Sequence, residues 1–227
     1  MKYSDFEKVM SSQRMNRYKL ASGNNTRKAM TLYRYNLHLS QELFTVISCF
    51  EIALRNAINI HYLAQLGNDW LRNAANHGGI FDNPHCHKTA KIINDAVSRF
   101  GSDYNHSKLI AEMDFGFWRY LFAQPQFNAA GRTILNIFPA KPRSTPTLQY
   151  NQRFLFNELE KINDLRNRLA HHEPVCFQLG HPVKNTAYAR QHYVLILQLF
   201  KWMQIDEAAL LYGLDHIMAV CNEIDAM

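Results

Sequence analysis

The chain has 227 residues, 47% of them apolar and 19% charged, a composition that excludes a disordered tail or a low-complexity scaffold and suits one sizeable core. Twenty-five Lys and Arg against 19 Asp and Glu leave +6 at pH 7, which permits a polyanionic partner without requiring one.

In chain order, residues 1–28 read as a short leading helix followed by a loop at Ser22-Gly23-Asn24-Asn25. The main domain is expected over 29–227. Its first long helix covers residues 29 to 66, where Leu32, Tyr35, Leu39, Leu43, Val46, Phe50, Leu54 and Ile58 recur at helical spacing. Glu51, Arg55, Asn56 and Asn59 stand beside that stripe. Glu51 and Arg55 are in the acid-then-base order of a surface ion pair, so a plain helix-face role and a site-flanking role both remain open. Residues 67–107 are punctuated by glycines and Pro84 and read as an irregular insertion with one helical piece over 88–100. His77, His85, Cys86 and His87 cluster there, but adjacent ligands without a second spaced pair make poor zinc geometry, and no metal is expected.

Residues 108 to 123 read as one helix whose aromatics (Phe115, Phe117, Trp118, Tyr120, Phe122) are core rather than base-stacking groups. Gly116 among them points to close helix–helix approach. Residues 124–147 hold five prolines and glycines and form a connecting loop, whose Lys141 and Arg143 are candidate phosphate contacts. A second amphipathic helix is expected over 147 to 172 with Thr147 as its N-cap, then helices over 187–204 and 206–224. No alternating strand pattern or repeat occurs, and the expected class is all-α. Four scattered cysteines without a C-x-x-C pair read as reduced thiols, and the polar N-terminus lacks a signal-type apolar region. With no run near 18 uninterrupted apolar residues, the expectation is a cytoplasmic chain with no membrane partner.

The chemistry concentrates at NDLRNRLAHHEP, residues 163 to 174. Arg166, Asn167, Arg168, His171, His172 and Glu173 crowd the end of the second amphipathic helix, which Pro174 terminates. Cations and imidazoles at a helix C-terminus complement its dipole, which is the bland account. Two details weigh against it: Asn167 shares a face with His171, and Arg168 with His172. Arg166 lies five residues before His171, about 140° round a helix. They converge only if the helix unwinds near Pro174 or if the partner comes from a second subunit. Glu158 and Glu160 read as solvated face.

The pattern Arg166-Asn167-x-x-x-His171 resembles the R-x4-6-H signature of HEPN-domain ribonucleases. His172-Glu173-Pro174 resembles the Abi-like (abortive infection) branch of that superfamily, as do EIALRNAI (51–58) and DFGFWRYL (114–121), in the expected order. The resemblance implies a HEPN-like helical bundle with irregular insertions and a two-fold dimer that brings two motifs together. It implies an RNA-cutting, toxin-like effector of phage defence, held off until infection; whether an inhibitory antitoxin (RNA or protein) restrains it stays open.

RNA carries its own nucleophile, so no cofactor is expected: histidine can move the proton and arginine can stabilise charge on phosphorus. His171 and Arg166 take these roles, with Asn167, His172, Glu173, Glu51, Arg55 and Asn56 in support, and Arg168, Lys141 and Arg143 as further RNA contacts. A non-catalytic module that binds RNA or a protein partner is the rival reading.

Overall fold

The computed structural model describes residues 1–227, and the architecture is all-α; a single bridge between Phe177 and Lys184 is its only β-type pairing. The helices are α1 (Tyr3–Met10), α2 (Ser12–Ala21), α3 (Thr26–Leu66), α4 (Trp70–Ala75), α5 (His87–Phe100), α6 (His106–Glu112), α7 (Phe115–Tyr120), α8 (Gln124–Ala129), α9 (Gln152–Ala170), α10 (Ala187–Trp202), α11 (Glu207–Leu210) and α12 (Ile217–Ala226). They divide into two compact units. One comprises Met1–Ser48, Asp164–Gln198 and Asp206–Met227; the other comprises Cys49–Asn163 and Leu199–Ile205.

In the first unit, α2 ends through Ser22 to Asn24, and Asn25 caps α3 by accepting the Lys28 amide at 3.0 Å. The inward stripe of α3 (Leu32, Leu39, Leu43, Val46) is fully buried. Tyr18 packs edge-on between Tyr33 and Phe177, with centroids 5.0 Å away in each case. At the C-terminal end, Asp225 accepts from Thr186 at 2.7 Å and from Arg190 at 2.9 Å, tying α12 to α10.

In the second unit, Phe50 contacts Phe115 and Phe200, and Trp70, Phe81, Trp118, Phe122 and Phe138 are buried. Asn59 accepts both the Trp70 indole N–H and the His106 ring at 2.8 Å, which joins α3 to the segments carrying α4 and α6. Gly79 is required by packing, because a Cβ there would lie 2.2 Å from the Asn73 carbonyl oxygen.

Several boundaries differ from the sequence expectation. The leading segment holds two helices, and the stretch from 67 to 107 contains α4 as well as α5. The expected helix over 108–123 is broken at Met113–Asp114, because the Asp114 carboxylate takes the Phe117 amide at 2.7 Å and caps a new helix instead. Residues 124–147 include α8 and a short 3₁₀ turn at Ile134–Ile137. Helix α9 starts at Gln152, with Asn151 rather than Thr147 as its cap, since Asn151 accepts the Phe154 amide at 3.0 Å. The last expected helix is two, α11 and α12, the first capped by Asp206. Gly116 is not demanded by close approach, because a Cβ there would meet Asp114 Oδ1 at an ordinary 3.4 Å.

Helix α3 holds an 18-residue window of mean hydropathy 1.4, long and apolar enough by length and composition to cross a membrane, as core helices also are. Here a third of that window is buried within the protein.

Candidate active site

The motif sits at the C-terminal end of α9, in the first unit, and the helix keeps its register into it. His171 N donates to Asn167 O at 2.9 Å, the ordinary i to i−4 bond, so the imidazole leaves the helix on the exposed face that also carries Asn167. The chain then turns sharply. His172 N donates to Leu169 O at 3.0 Å and Glu173 N to Arg168 O at 2.8 Å, the paired bonds of a Schellman cap. His172 occupies the left-handed position of that cap with φ of 56°, a place usually filled by glycine. His172 has therefore left the helical face it was expected to share with Arg168.

Arg168 has a different task from the RNA contact expected of it. Its guanidinium donates to Glu173 Oε2 at 3.2 Å and Pro174 O at 2.9 Å and lies 4.5 Å over the Tyr188 ring. These contacts hold the turn after the helix in place. Two residues on, Val175 N donates to the buried Asn36 Oδ1 at 2.9 Å, fixing the returning chain to α3.

An exposed cleft of about 360 Å³ opens between this turn and helix α2, lined by His171, His172, Glu173, Ser11, Gln13, Arg14 and Arg17. The last four come from a segment whose sequence carries no chemical signature. Arg14 Nη1 donates to the His172 carbonyl at 2.9 Å. Arg17, one turn along, donates to Gln178 O at 2.8 Å and His181 O at 2.7 Å while stacking 4.6 Å over Phe177. Arg17 is thereby committed to the loop. Arg14 uses one N–H on the turn, and as an exposed residue it lines the same cleft as His171.

Arg166 is half-buried on the same helix, and its Nε is buried without a hydrogen-bond partner. Unwinding of the helix to bring Arg166 onto His171 does not occur, since the backbone bond at His171 is intact. Glu51, Arg55 and Asn56 belong to the second unit: Glu51 and Arg55 are half-buried, Asn56 is exposed, and Arg55 Nε is also buried without a partner. Lys141 and Arg143 lie in the second unit on the loop before α9, half-buried and exposed respectively.

The two glutamates read as solvated face are engaged. Glu160 pairs at 2.5 Å with Arg119, itself only 7% exposed and stacked 4.1 Å over Phe156, and Glu158 binds Lys161 at 2.7 Å with its own side chain largely covered. Arg119 and Asp114 account for the charged residues of the DFGFWRYL block: Asp114 caps α7, and Arg119 ties α7 to α9. The histidine-rich stretch diverges, with Cys86 buried, His77 exposed and paired with Asp82, and His87 bonded to Pro84 O at 2.8 Å. No group of three His, Cys, Asp or Glu side chains is arranged to hold a metal ion.

A family model described as Abi-like protein matches residues 2–176, a span that includes the α2 wall of the cleft, both flanking blocks and the whole motif. The chain belongs to the Abi-like family. It is thus an abortive-infection protein in the general sense of that family. No curated protein matches this Abi-like chain, and no solved structure does.

Proposed function

We propose that this Abi-like protein is a metal-independent endoribonuclease of the HEPN kind, acting as a toxin-like effector in phage defence. The 2′-hydroxyl of RNA attacks the adjacent phosphorus, the 5′-oxygen leaves, and the products are a 2′,3′-cyclic phosphate and a 5′-hydroxyl. His171 moves the proton, and Arg166 stabilises the phosphorane through its guanidinium. Asn167, beside His171 on the exposed face, orients imidazole or phosphate, and Arg14 joins the set as a phosphate contact. His172 and Glu173 shape the turn that presents the imidazole.

The observation that carries this reading is the intact helical register through His171. It keeps Arg166 and His171 of one chain about 140° apart around the axis, so a joint site needs the motif of a second copy. A two-fold dimer supplies one. The exposure of His171 at an open, arginine-bordered cleft supports the same reading.

The test is cleavage of end-labelled RNA in excess EDTA by the wild-type chain, by Arg166→Ala, by His171→Ala, and by an equal mixture of the two variants. Each variant alone should be inactive. The mixture should recover about a quarter of wild-type activity, because half the dimers are mixed and each carries one intact composite site. Loss of RNA binding in parallel with no turnover by the wild type would turn the assignment toward a non-catalytic RNA-binding module.

A further inference from the structure

The second unit contains a larger cavity, about 900 Å³, walled by the start of α5, the Met113–Asp114 break, α7 and the start of α8. Neither the motif nor the cleft at α2 uses it. Its lining is mostly apolar, with Ile92, Met113 and Phe117 among its residues and the Tyr120 ring 52% exposed at its wall. One polar residue in that lining is anomalous. Gln126 is only 6% exposed; its Nε2 donates to Thr89 Oγ1 at 2.9 Å, and its Oε1 is buried with no partner at all. Turning the amide over does not remove the anomaly, because the Thr89 hydroxyl satisfies one end of the carboxamide in either orientation. A buried polar group left unpaired is costly, and native proteins keep few of them.

The mouth has the opposite character. His85, His87 and Lys88 are exposed there, at the first turn of α5 and just before it. His87 directs Nδ1 at the Pro84 carbonyl, which makes that nitrogen the proton carrier. Arg99 and Glu112, also in the lining, neutralise each other at 2.6 Å. Asp114, also in the lining, turns its carboxylate to the Phe117 amide, so Lys88 is the cation of the lining that has no carboxylate partner.

A flat aromatic group with polar edges, carrying an anion on a short arm, fits these three features together. The ring lies against Tyr120 and Phe117, an edge group pairs with the Gln126 carboxamide, and the anion meets Lys88. We propose that this cavity is a nucleotide-binding site, taking a nucleobase with its phosphate, either as a free mononucleotide or as one residue of single-stranded RNA. The inference does not depend on the assignment of Arg166 and His171.

The test uses the full chain and isothermal titration with the four 5′-mononucleotides and their nucleosides. At least one mononucleotide should bind with one-to-one stoichiometry, and its nucleoside should bind about tenfold more weakly. Lys88→Ala should cost a similar factor for the mononucleotide and nothing for the nucleoside. Gln126→Met should erode discrimination among bases. If that buried variant does not fold, Tyr120→Ala, at an exposed position, should weaken nucleotide and nucleoside alike. His171→Ala should leave all of these values unchanged. Competition by homopolymeric hexanucleotides then separates the sources: displacement at lower concentration than the mononucleotide assigns the site to RNA, and displacement only at higher concentration assigns it to the free nucleotide. Absence of binding at millimolar mononucleotide, or binding that Lys88→Ala and Tyr120→Ala both leave intact, would overturn the proposal.

Discussion

His172 holds a backbone conformation that most side chains avoid, and its carbonyl is the acceptor that fastens Arg14 at the cleft. Both facts can be separated by one substitution. His172→Gly removes the left-handed penalty while keeping the carbonyl, so the folded protein should gain about 0.5–1 kcal/mol, visible as a rise of about 1–4 °C in the thermal midpoint. Cleavage should persist if the imidazole of His172 only shapes the turn, and a stabilised but inactive variant would give that ring a direct role. Arg14 shows where residue-level reading of a sequence stops. Its partner is a main-chain oxygen 158 positions away, and no side-chain pattern encodes such a contact.

At the scale of elements, the apolar stripes of α3 and α9 were legible because each keeps one face buried over many turns, and Leu155, Leu159, Ile162 and Leu165 are all fully covered. The breaks were not legible. Periodicity continues across Met113–Asp114, and only the competition between a carboxylate and a helical carbonyl for the Phe117 amide ends one helix and starts another. Asp114→Ala should therefore lower stability by about 1 kcal/mol through loss of the cap, and Asp114→Asn should recover most of it, as chemical denaturation would show. The motif was legible as a cluster, but its division of labour was not. Arg168 and His171 look alike in sequence as polar helix-end residues, yet one is tied to Glu173 and Pro174 while the other stands exposed.

For the molecule as a whole, two imidazoles set a pH dependence of stability. Burial holds both His61 and His106 below their ordinary value of 6.5, and at His106 the nearby Asp69 opposes that effect only in part. The unfolded chain binds a proton at each site before the folded chain does. Their contribution is thus complete above about pH 6.5 and is lost as pH falls through the lower folded values. The denaturation midpoint should decline between pH 7 and pH 5, and His106→Gln should flatten part of that decline. A midpoint that rises on acidification would contradict the assignment.

The bond between Arg14 and the turn at His172 also has a consequence for biosynthesis. Ribosomes add about 5–20 residues per second, so the two ends of a contact spanning 158 positions are made about 8–30 s apart. A nascent chain holds α2 long before it holds the helix end against which α2 must close. Throughout that interval the cleft does not exist, and no ligand or partner can use it until the chain beyond His172 has been made and has closed on α2.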